Sequence, residues 1–69
     1  MSHHTYKHLE VTGSSEVSTD DAIKNAITSI SKTTKNMSWF EVLSTRGHIV
    51  DDTVKHWQVT INIGFRIED

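Results

Sequence analysis

Between Trp57 and Ile67 every odd position is apolar (Trp57, Val59, Ile61, Ile63, Phe65, Ile67) and every even one is polar or small (Gln58, Thr60, Asn62, Gly64, Arg66). Side chains alternate between the two faces of a strand, so this stretch reads as a long strand with one buried face. A less regular alternation runs from Thr5 to Thr12, with Leu9 and Val11 on one side and Tyr6, His8 and Glu10 on the other, and Gly13-Ser14-Ser15 reads as its end. The period then changes. Ser18 or Thr19 can cap a helix whose first turn holds Asp20 and Asp21, carboxylates suited to the positive end of the helix dipole. Ile23, Ala26, Ile27 and Ile30 follow the spacing of one buried stripe, with Ala22 beside it and Lys24, Asn25, Thr28 and Lys32 facing away. Lys32 and Lys35 suit the negative end of that helix, and Asn36 its stop.

Two more strands are predicted, from about Ser38 to Val50 and from Thr53 to Ile67, joined at Asp51-Asp52. The fold class is α+β, a β-α-β-β chain in which a three-stranded antiparallel sheet partly wraps one helix, forming a single domain over residues 1–69. With Asp51 and Asp52 as the central turn residues, Val50 faces Thr53 and the register of the hairpin follows. It places Phe40 and Val42 on the side of Val59, Ile61 and Ile63, which the helix should cover, and Trp39 on the opposite side near Gly64. A large aromatic away from the helix has two readings, an anchor in a subunit interface or a stacking platform for a flat ligand.

At 69 residues the chain supports one small core, and with no cysteine neither disulfides nor thiolate metal sites can reinforce it, so self-association is the expected staple. Seven basic and nine acidic residues, spread along the chain, give no basic stripe for nucleic acid or anionic lipid. No apolar run is long enough to span a bilayer, and the start Met1-Ser2-His3-His4 lacks the layout of a secretory signal, so a cytoplasmic location is expected.

Four motifs, Trp39-Phe40-Glu41-Val42, Arg46-Gly47-His48, Gln58-Val59 and Gly64-Phe65-Arg66-Ile67, occur in order at compatible spacing, and through them nearly the whole chain resembles the dodecins, small bacterial and archaeal flavoproteins. The resemblance implies a hollow homododecamer of cubic symmetry that binds flavin without catalysing a reaction. It implies that Trp39 stacks on the isoalloxazine ring, that Gln58 hydrogen-bonds the ring's polar edge and that Arg46, as in the bacterial branch, meets the ribityl phosphate. The implied role is storage and sequestration of FMN, riboflavin or FAD, with photoprotection because the stacked tryptophan quenches the excited ring. Ser38 stands where bacterial members often have aspartate, and keeps a hydrogen-bonding group without the charge. Some bacterial relatives also bind coenzyme A, for which Tyr6, Lys35 and Arg66 are the candidates here, as cofactor or interface residues.

The residues themselves set conditions on that implication. The hairpin register pairs Gln58 with Thr45, six positions from Trp39, or about 20 Å of extended strand. A single ring touching both side chains therefore draws them from different subunits. Strict alternation from Trp39 puts Arg46 on the helix-covered face, where an unpartnered guanidinium is costly, so a bulge near Gly47 is expected to turn it outward; the alternative is an ion pair with Glu41 or Glu68 across an interface. His3, His4 and His8 do not place three ligands on one strand face, and no metal site is expected from them. His48 and His56 can approach one another across the turn and read as solvated polar residues rather than a general base. No nucleophile with a matching base, phosphate loop or spaced carboxylate pair stands out, so no catalytic residue and no enzyme activity are expected. Two other functions remain open: a ligand-free structural oligomerisation module, and a single-stranded nucleic-acid binder, which the acidic balance disfavours.

Overall fold

The computed structural model describes residues 3–67. Met1 and Ser2, read above for a leader, and Glu68, read above as a partner of Arg46, lie outside the described residues. The chain runs β1 (Thr5–Ser15), α1 (Thr19–Ile30), β2 (Met37–Val50), β3 (Thr53–Ile67). The sheet order is β1-β3-β2, with β3 antiparallel to both neighbours. The longest and most regularly alternating strand thus occupies the centre.

β1 continues three residues past the expected end: Gly13, Ser14 and Ser15 pair with Val59, Gln58 and Trp57. Gly13 is there for packing. A Cβ at this position would overlap the Ala22 carbonyl and crowd the Ala26 methyl, so the glycine lets α1 lie close against β1. The same contact moves the centre of the buried stripe. Ala22 and Ala26 are buried while Ile23, Ile27 and Ile30 are only partly so, and the core proper is those two alanines with Val59, Ile61 and Ile63.

Ser18 caps the helix, its Oγ accepting the Asp21 N–H at 3.0 Å. Ser15 reinforces the entry: its hydroxyl donates to Asp21 Oδ2 at 2.6 Å and accepts the Val17 N–H at 2.9 Å. The helix ends at Ile30 with Ser31 as its cap, earlier than expected, so Lys32 and Lys35 lie beyond its last turn. Asn36, in the left-handed region at φ 63°, turns the chain into β2.

Asp51 and Asp52 form the hairpin turn, both at positive φ (53° and 64°), as a two-residue type I′ turn requires. From there the β2–β3 ladder departs from a regular one at three places. Lys55 is an extra residue on β3, Leu43 an extra residue on β2, and Ser38 a further one near the start of β2. The first two offset each other, so Trp39 faces Gly64 as expected, while between them every pair is shifted by one: Gln58 faces Arg46, not Thr45.

The helix packs mainly on β1 and, less, on β3. Phe40 and Val42 do lie on its side of the sheet, opposite Ile63 and Ile61, but they are 42% and 45% exposed rather than covered. A twelve-residue helix spans about 18 Å, whereas fifteen residues of strand span about 50 Å. It shields the middle of the two strands it packs on and leaves most of β2 beyond Met37, and both ends of β3, largely uncovered.

Candidate functional site

The face turned away from α1 is organised in rows across the sheet, because directly opposed residues of antiparallel strands share a face. Successive rows are His8–Gly64–Trp39, Glu10–Asn62–Glu41, Thr12–Thr60–Ser44 and Ser14–Gln58–Arg46, followed by His56–His48. Tyr6 and Arg66 form the row beyond His8.

Trp39 lies against the backbone of Gly64, where a Cβ would overlap the indole's benzo ring. Tyr6 meets the indole edge-on at 5.0 Å between centroids and His8 does so at 5.6 Å, with interplanar angles of 63° and 80°. His8 is itself held, with the Asn62 amide nitrogen 2.6 Å from its Nδ1. Braced on three sides, Trp39 is still 41% exposed as a residue. Ser38, the bulged residue beside it, donates its hydroxyl to the Asn36 carbonyl at 3.3 Å, and that same carbonyl accepts the Arg66 N–H at 3.1 Å. Tyr6, Ser38, Arg66 and the loop carrying Lys35 therefore gather at the Trp39 end.

Arg46 and Gln58 sit opposite each other at the other end. Alternation alone assigned Arg46 to the helix-covered face; the extra residue that re-aims it is Leu43, three positions before it, rather than Gly47. Its guanidinium reaches Ser44 Oγ at 3.4 Å. It has the exposure to meet an anion, and Gln58 beside it is half-buried.

The residues picked from the sequence thus form two groups, with Gln58 six positions along β3 from Gly64, a separation of about 20 Å. His8 and Asn62 belong with Trp39 too: Asn62 shares with Gln58 and Arg66 the polar face that alternation marks as the functional one, whereas the place of His8 beside the indole could not be read from the sequence. The visible signal was their place on the polar side of the two alternating strands. Among the described residues no helix is long and apolar enough to cross a membrane.

A family model, Dodecin, matches residues 5–68. Dodecin of Thermus thermophilus is 41% identical over 64 residues, 93% of each chain. The structure of dodecin from Streptomyces coelicolor superposes with a TM-score of 0.94 at 48% identity, covering 100% of this chain and 99% of that one. Dodecin from Streptomyces davaonensis gives a TM-score of 0.94 at 43% identity, covering 99% and 100%.

Proposed function

The chain belongs to the dodecin family of small flavin-binding proteins, and on that premise we propose that it stores and sequesters a flavin, with Trp39 as the stacking platform, in a closed homo-oligomer. The observation that carries this reading is the indole pressed against Gly64, braced edge-on by Tyr6 and His8 and open on its remaining surface. A flat aromatic fixed before a ligand arrives loses little freedom on binding, and stacking on such a ring contributes about 1–3 kcal/mol by analogy with nucleobases.

Gln58 orients the ring by hydrogen bonds to its polar edge, and Arg46, directly opposite, meets the phosphate of FMN or FAD. The separation from Trp39 exceeds the length of one ring system, so these groups come from a neighbouring copy, and the site is complete only in the assembly. Twelve copies arranged as a hollow shell is the reading that the family supports. Quenching of the excited flavin by the stacked indole adds photoprotection. A role in holding the ligand rather than converting it suits a face that offers stacking and hydrogen-bonding groups. Tyr6, Arg66 and the Lys35 loop, gathered at one end, suit a phosphate-bearing nucleotide such as coenzyme A as a second ligand.

The test is a fluorescence titration of FMN and riboflavin into the protein and into Trp39→Ala. We expect the substitution to weaken binding by about 10- to 100-fold, the equivalent of the stacking term, with the oligomer unchanged in size. Undiminished affinity contradicts the assignment, and a parent protein that ignores flavin altogether favours the ligand-free oligomerisation module.

A further inference from the structure

His48 and His56 lie on the open face one row beyond Gln58 and take no part in the site described. They are directly opposed on β2 and β3, with ring centroids 5.1 Å apart and planes within 15° of parallel. A regular ladder from the turn would have set His48 against Lys55; the extra residue on β3 brings His56 into that place. His48 is exposed and His56 half-buried, so ions in solution reach both. Among the described residues the histidine whose ring is engaged by a side-chain hydrogen bond is His8, on Asn62, which leaves the nitrogens of His48 and His56 free of such bonds. Glu16, with Ser14 and Ser15, lines a hollow beside His56 and adds a carboxylate that favours a cation nearby.

We propose that His48 and His56 form a two-histidine clip for a divalent transition metal, zinc being the probe of choice. Neutral imidazole is a ligand for zinc, copper and nickel, not for magnesium or calcium, which take oxygen donors. Two imidazoles on one tetrahedral zinc, each with Zn–N of about 2.0–2.1 Å, have ring centres about 5 Å apart. The spacing of this pair matches, so rotation of the rings about their own side-chain bonds brings one nitrogen of each onto the ion without moving the strands. Among the described residues no group of three or more metal-ligating side chains exists. Water therefore fills the remaining positions, and the clip is an open, exchangeable site rather than a closed structural one. Bound there, the ion cross-links β2 to β3 near the hairpin.

The experiment is a calorimetric titration of zinc chloride into the full chain carrying His3→Ala and His4→Ala, which removes the competing imidazoles near the start. The expected result is saturable binding with one zinc per chain, joint displacement of the His48 and His56 ring resonances in NMR spectra, and at least about tenfold weaker binding when either His48→Ala or His56→Gln is added. Both changes fall on side chains outside the core, so each variant keeps the parent's fold. Zinc should also raise the melting temperature of the parent but not of those variants, because an ion bound by the native state alone stabilises it. Absence of saturable binding, unchanged affinity in either variant, or an equal response to magnesium overturns the proposal. None of these readouts involves flavin, so they are independent of the function proposed above.

Discussion

At position 64 a hydrogen in place of a methyl decides where Trp39 lies. The pairing of Trp39 with Gly64 could be anticipated from the length of the hairpin, and the space such a pairing needs could be read from the glycine itself. The bracing by Tyr6 and His8 could not, because β1 approaches β3 through a contact remote in sequence. Gly64→Val should push the indole off the sheet, destabilising the fold by about 1–3 kcal/mol through overpacking and weakening flavin binding. Thermal melts with a parallel fluorescence titration check both effects. Retained affinity would mean that the ring's position against Gly64 has no bearing on the ligand.

Among the elements, the helix start and the turn were legible from local chemistry, whereas bulges were not. Ser18, Asp20 and Asp21 mark the N-terminus because a hydroxyl and two carboxylates satisfy needs confined to one turn of backbone. Ser18→Ala should cost about 1 kcal/mol of stability, the usual worth of such a cap, read as a shift in the denaturant midpoint at unchanged slope. By contrast, Leu43 and Lys55 carry no mark of being extra residues; each is an ordinary strand occupant, and the irregularity exists only relative to the partner strand. Because the two offsets cancel, an even ladder gives the right partner for Trp39 and the wrong one for Gln58. The face of Arg46 depended on the same hidden step. The end of β1 was misjudged for a related reason: Gly13 signals a break in isolation, but here it permits close contact with α1.

As a whole molecule the monomer is more extended and barer than a compact chain of its length. Its radius of gyration is 14.4 Å and its extents are 57 × 21 × 13 Å, whereas a compact chain of this length has a radius of about 11 Å. Phe40, Val42, Leu43, Ile49 and Val54 are each between 42% and 69% exposed, an apolar surface on or near β2 that a monomer of this size does not leave in water without reason. In the proposed assembly further copies would cover it and add to the small core that 69 residues build alone. Val42→Asp should therefore break or shrink the assembly, since a carboxylate buried in such an interface without a partner is strongly unfavourable; light scattering with size-exclusion chromatography would report the fall in mass, and an undiminished mass would place the interface elsewhere. In the proposed assembly Trp39 of one copy and Gln58 of another hold a single flavin. The decisive experiment is a crystal structure of the assembled protein saturated with FMN. The expected result is an isoalloxazine ring stacked on Trp39 with its polar edge bonded to Gln58 from a neighbouring chain; a flavin bound away from Trp39, or held by Trp39 and Gln58 of the same chain, would overturn the shared site.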